Sequence, residues 1–270
     1  MQQVFEGLFV FLTHLDALHF ESLGKASLIC LAVKSLRFYP VTVSQVVELP
    51  GVRQATADAR AAMDLLRGER ILRTKGPEVR ALALSESARA AAQLGGIELS
   101  ISVALLQASI ESASAIAAAP MQSLARFHAI VLADHPEGER GRPRELSEAE
   151  RERLFALNEL LGAEASVPAL IVAALAMAEI LDIAPFAEAN EIVARATFRS
   201  VLIGRGFDPE ALALPEAGML ALGATSFAPA LAAYRTGTPE GVASWLRHLA
   251  SAVLLGARRG IEICDELSQS

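Results

Sequence analysis

The chemistry this chain has to offer is concentrated in residues 184–195, Ala-Pro-Phe-Ala-Glu-Ala-Asn-Glu-Ile-Val-Ala-Arg. Two carboxylates (Glu188 and Glu191), an amide (Asn190), a guanidinium (Arg195) and one ring (Phe186) share this short stretch. An apolar run over residues 167–181 leads into it, and a helical pattern over residues 192–202 leads out and stops at Gly204. A polar loop that opens a helix can turn backbone N–H groups towards an anion, and loops held by rigid helices often carry function. The plainer reading of the acids is that they decorate a helix N-terminus, where each contributes about 0.3–1 kcal/mol.

The stretch resembles the motif of the Fic family, HPFx(D/E)GN(G/K)RxxR. Pro185, Phe186, Glu188, Asn190 and Arg195 match it. Ala184 stands at the catalytic histidine position, Ala189 and Glu191 at the two glycines, and Ile192 at the first arginine. In that family the loop and the following helix bind the phosphates of ATP, and AMP is usually transferred to a protein hydroxyl. The resemblance implies an all-α, Fic-like helical bundle around a central buried helix pair, and it admits a small β-hairpin flap. It places Asn190, Arg195 and Phe186 at nucleotide-binding positions and Glu188 at the Mg²⁺ position. Mg²⁺ and ATP are the ligands it admits, and no catalytic residue is implied, because Ala184 occupies the histidine position.

A second family feature, the inhibitory helix motif (S/T)xxxE(G/N), falls on Ala91, Gly95 and Gly96, and only Gly96 matches. In the family its glutamate pairs with the second motif arginine. Brake and base are thus missing together. The resemblance spans roughly residues 40–265, with Gly141-Arg142-Pro143-Arg144 before the central helices and residues 234–245 after them as outer features.

Physical chemistry sets how much reaction such a loop could retain. A positioned general base is worth roughly 10²–10⁴ in rate, and Ala184 cannot act as one. If the Ala189 position needs left-handed geometry, its Cβ costs about 1–2 kcal/mol. The family pattern carries two arginines and one acid, a sum of +1; here Arg195 stands against Glu188 and Glu191, giving +1 − 2 = −1. A carboxylate about 5 Å from a phosphate oxygen costs on the order of 3 kcal/mol at an effective dielectric near 20. Glu191 therefore opposes ATP unless a metal stands between.

Composition bounds the rest. A chain of 270 residues suits one large domain or two small ones. It is 53% hydrophobic but only 5% aromatic, which points to close-packed helices with Ala, Leu, Val and Ile cores. A net charge of −7 argues against a general nucleic-acid binder, since phosphate contacts need surplus Lys and Arg. Cys30 and Cys264 form no metal-finger spacing and read as free thiols. No secretory signal and no uncharged stretch of the ~20 residues a membrane helix needs is present, so a cytoplasmic protein without membrane partners is expected.

The elements that must position the loop are legible in the spacing. Residues 51–68 carry Ala55, Ala59, Ala62, Met63 and Leu66 on one helical stripe, with Gly68 as a stop. Residues 67–75 are basic and read as a solvated turn, broken at Gly76-Pro77. Residues 82–94 predict a helix ended by Gly95-Gly96. Residues 97–103 alternate apolar and polar, the best strand candidate and a flap candidate, although a helix start fits equally. Residues 104–119 are helix-forming, and residues 121–132 predict a helix carrying His128 as a hydrogen-bonded core histidine. Residues 135–142 imitate a phosphate loop, but Pro143 follows at once and the segment reads as surface.

Ser147 and Glu150 predict a capping box on a helix over residues 148–161, ended by Gly162. Ser166 is the expected cap of the next helix, residues 167–181, which is apolar nearly all round and should be the most buried. Residues 204–209 read as a turn-rich break and residues 210–227 as loop-rich, and Thr238 as the cap of a long final helix that sends Trp245 and Leu246 into the core. Two regions result: residues 1–40, an appended helical extension, and residues 41–270, the Fic-like domain. His14 and His19 in the extension are five apart, the wrong spacing for a helical metal pair. The extension's role stays open between covering the domain, dimerisation and a partly mobile arm.

The preferred function is a module that binds a partner protein, or a nucleotide, without turnover. The alternative is a divergent transferase that moves AMP or another phosphate-containing group, with Glu188, Glu191 or His128 as the substitute base.

Overall fold

The computed structural model describes residues 43–162 and 167–269. The expectations for residues 1–40, with His14 and His19, and for Cys30 and Ser166 lie outside the described residues. Within them the chain is helices and loops, with no strand: α1 Val43–Val46, α2 Val52–Arg67, α3 Leu72–Gly95, α4 Leu99–Glu111, α5 Pro120–Val131, α6 Glu148–Leu161, α7 Ala169–Ile183, α8 Asn190–Gly204, α9 Pro215–Leu222, α10 Ala224–Arg235 and α11 Pro239–Ser268. The fold is an all-α bundle. No single helix among the described residues is long and apolar enough to cross a membrane.

The centre is the pair α7–α8. Every residue of α7 except Leu181 and Asp182 is buried, as expected for a helix apolar on all sides. In α8 every residue from Val193 to Ile203 is buried, Arg195 and Arg199 included. Alanine on α7 lets neighbours approach closely, and the indole N–H of Trp245 on α11 donates to the Ala174 carbonyl at 2.7 Å. Helix α11 runs beside α2, α9 and α10 and closes the bundle. Its contact with α9 is backbone on backbone: a Cβ on Gly218 would lie 1.8 Å from the Ala252 carbonyl oxygen, and one on Gly256 would lie 2.3 Å from that of Leu214. Only glycine fits at either place.

Two clusters of buried charge are paired, as their desolvation requires. Glu179 of α7, fully buried, accepts from Arg153 at 2.7 Å and from the Tyr234 hydroxyl. Burial raises its carboxyl pKa even so, with Arg153 opposing. Arg199 of α8 is held by Glu216 of α9 and donates to Ser87 of α3 at 2.9 Å. These two clusters join the centre to its surrounding helices.

Several expectations are corrected. Of the two readings of residues 97–103, the strand is overturned and the helix start holds: α4 begins at Leu99, with Ser102 turned inward to donate to the Ala88 carbonyl at 2.7 Å and Leu99 and Val103 exposed. The flap candidate is therefore a helix. The helical run expected to Ala119 ends at Glu111 and gives way to turns. Residues 210–227 hold α9 and the start of α10 within the stretch read as loop-rich. α7 starts later than expected, at Ala169 with Pro168 at its N-cap. Pro77 lies inside α3, just after a kink at Lys75 where φ is −120° and ψ 27°.

Other readings hold. α2 buries Ala59, Ala62, Met63 and Leu66. The Ser147–Glu150 capping box is formed, and the Thr238 hydroxyl accepts from the Gly241 N–H. Cys264 is a buried free thiol.

Candidate functional site

The loop between α7 and α8 is held by backbone geometry that its own sequence does not favour. Ala184 ends α7 in left-handed conformation with φ 48°, and Ala189 opens α8 with φ 59°. Alanine pays a Cβ clash for this conformation where glycine would not. The condition attached to Ala189 in the sequence, that the position requires left-handed geometry, is met.

Three side chains offset that cost. Asn190 clasps Phe186: its Oδ1 accepts the Phe186 N–H at 2.9 Å, and its Nδ2 donates to the Phe186 carbonyl at 2.8 Å. Arg144 reaches in from before α6, donating from Nε to the Ala184 carbonyl at 2.8 Å and from Nη2 to that of Ile183 at 2.7 Å. A cation at a helix C-terminus satisfies orphan carbonyls and the negative end of the dipole at once. The backbone N–H of Arg144 adds a bond to the Pro185 carbonyl at 2.8 Å. Glu150 holds Arg144 in place at 2.6 Å, and this bond together with those to Ser147 brings the Glu150 carboxyl down to about 2.

Phe186 is buried and lies flat on the His128 ring of α5, centroids 4.1 Å apart and planes at 9°. His128 is a core histidine whose Nδ1 accepts the Gly141 N–H at 2.9 Å. Burial lowers its pKa, Glu188 opposes this, and His135 reinforces it. Residues 132–146 thus form a strap across the motif loop. Glu188 is on the outside, 56% exposed, with the His135 ring 3.7 Å away. The strap is on the surface, as its sequence suggests, yet its seat against the motif loop was not foreseen.

Arg195 projects inward from α8, 6% exposed, and Glu191 one turn earlier holds its Nη1. Its Nη2 has no hydrogen-bond partner among the described residues. A Cβ on Gly95 would stand 3.5 Å from that Nη2 and 3.3 Å from Ile192 Cγ1. A cavity of about 10 Å³, lined by Ala91, Ile97, Ser102, Ile192, Arg195 and Glu216, lies beside them. That volume is about one water molecule.

Of the residues singled out in the sequence, Phe186, Asn190 and Ala184 form one hydrogen-bonded turn, Arg195 lies beneath it and Glu188 outside it. Candidate bases do not converge: Glu188 faces solvent, Glu191 is paired with Arg195, and His128 is buried with Nδ1 engaged. Among the described residues no three His, Cys, Asp or Glu side chains stand together as a metal-holding group. Sequence reasoning missed Arg144 as the clamp, although its stretch had been noted, and read His135 only as part of a surface loop, without its place beside Glu188. Neither contact leaves a local signal, because each joins residues about forty or more apart in the chain. No protein-family model matches this chain, and no curated protein matches it.

Proposed function

We propose that this chain is a Fic-like helical protein with a degenerate active site, which binds a partner protein, or a nucleotide, without transferring AMP. The observation that carries the reading is the Glu191–Arg195 pair on the helix that follows Ala184. The only arginine of the motif that remains is already neutralised by its own helix, and the position for the base is a methyl group. A phosphate seeking Arg195 must displace a carboxylate and reach a side chain that is almost wholly buried.

The turn itself also supports the reading. Asn190 spends both polar atoms on Phe186, Phe186 spends its face on His128, and Arg144 holds the end of α7. These contacts keep a rigid loop shape without any ligand, as suits a docking surface. Gly95, at the position where the family's inhibitory helix carries its glutamate, stands beside Arg195. With no reaction to restrain, that carboxylate has no task.

The test is incubation with α-labelled and γ-labelled ATP in Mg²⁺ or Mn²⁺, followed by calorimetry for nucleotide binding. Transfer of neither label to the protein or to a lysate is expected. Transfer of either label would favour the transferase reading, with Mg²⁺ held at Glu188.

A further inference from the structure

The strap over the motif loop is fastened to α5 by one hydrogen bond whose acceptor can be lost to a proton. The Gly141 N–H donates to His128 Nδ1 at 2.9 Å. A neutral imidazole that accepts at Nδ1 carries its proton at Nε2, and that Nε2 is buried without a partner among the described residues. The next proton can therefore go only to Nδ1, where it would face the Gly141 N–H. Gly141 has no room to retreat towards α5: its φ is +69°, and a Cβ there would lie 2.8 Å from the Ala125 carbonyl oxygen.

We propose that residues 132–146 are a proton-operated latch on the motif loop, shut when His128 is neutral and released when it is protonated. The surrounding charges define which groups take part. On the elements packed against α5, Glu111 of α4 is engaged by Arg126, Glu150 of α6 by Arg144, and Glu191 and Arg195 of α8 by each other. The charges that bear on His128 are Glu188 on the motif loop and His135 on the strap. Burial outweighs Glu188, so the latch stays shut at neutral pH and opens below the ordinary histidine range.

His135 stands apart from this bond, on the exposed side of the strap, with its Nδ1 3.7 Å from both Glu188 and Glu139. Protonation of His128 thus removes the acceptor that anchors the strap to the buried ring of α5. Gly141 leaves the His128 ring, and the edge of the His128–Phe186 stack opens to solvent. The inference does not depend on whether the loop holds a nucleotide.

Amide exchange across residues 138–143 reads the latch, followed from about pH 7.5 to about pH 5 and corrected for intrinsic exchange chemistry. The expected result is a loss of protection of about tenfold per pH unit once the ring titrates, while α7 and α8 keep theirs. His128→Asn leaves an acceptor near the Nδ1 position and cannot titrate, so its strap should stay protected at every pH. His135→Gln should keep the wild-type slope. A flat wild-type profile would overturn the latch. So would a wild-type slope surviving in His128→Asn, or its disappearance in His135→Gln, which also serves as the decisive arm should His128→Asn not fold.

Discussion

Glu191 and Arg195 are one turn apart on α8, and the exposed carboxylate of the first holds the buried guanidinium of the second. A helix that satisfies its own arginine leaves less for a ligand. Glu191→Gln keeps the side-chain volume and frees the charge. Because Glu191 is half exposed, the effect is screened and is worth about 1 kcal/mol. ATP·Mg²⁺ binding to the variant, measured by calorimetry, should be roughly five- to tenfold tighter than to the wild type. An unchanged isotherm would mean that the pair does not govern access to Arg195.

Restoring the base alone should not restore a reaction. In Ala184→His the imidazole returns, but Ile192 stays where the first motif arginine would be and Glu191 still holds Arg195. No self-modification with labelled ATP is expected from this variant. Strong labelling would show that the loop is better preserved for phosphate than its charges suggest.

The left-handed alanines carry a stability cost that can be removed. Ala189→Gly relieves the Cβ clash at φ 59°, offset by the greater freedom of glycine in the unfolded chain. A net gain of about 0.5–1 kcal/mol is expected in denaturant unfolding. A loss would place the strain elsewhere.

Arg144 is the reverse case. Arg144→Ala leaves the Ile183 and Ala184 carbonyls without their donor and frees Glu150. Hydrogen bonds to charged groups contribute about 1.5–3 kcal/mol each, and these act together. Destabilisation of about 2–3 kcal/mol is expected, with raised amide exchange at residues 183–187. A substitution that is silent in both measurements would remove Arg144 from the clamp.

Asp208 makes stability depend on pH. It accepts the Leu212 N–H at 2.9 Å and the Ala213 N–H at 3.0 Å, yet burial raises its carboxyl pKa to about 6 from 3.8. A folded pKa above the unfolded one means that Asp208's contribution is full below the unfolded value and is lost as pH rises through about 6. Asp208→Asn does not titrate. The stability of the variant relative to wild type should therefore improve by about 2 kcal/mol between about pH 4.5 and pH 7.5. A constant difference across that range would show that Asp208 does not titrate as its burial demands.

How far the chain could be read in advance differs between its elements. The apolar run before the motif predicts the central helix because a segment without a polar face must be buried, and α7 is buried almost throughout. The capping box at Ser147 and the cap at Thr238 are local hydrogen bonds, so three or four residues suffice to predict them. Residues 97–103 left strand and helix start open because their apolar alternation ignores burial: on the helix Ser102 turns inward towards Ala88 while Leu99 and Val103 stay exposed. In the motif loop the sequence determined which groups are present: one arginine, two acids, an amide and no histidine. It also determined that Ala189 would pay for left-handed geometry if asked to adopt it.

Only the tertiary structure decided the partners. Arg144 closes the end of α7 from forty residues away, His128 lies under Phe186, and Gly95 stands against Arg195. The reason is physical. Caps, stripes and breaks arise from neighbours along the chain, whereas the ownership of a buried charge or ring is settled where helices meet, and spacing along one helix carries no record of the next.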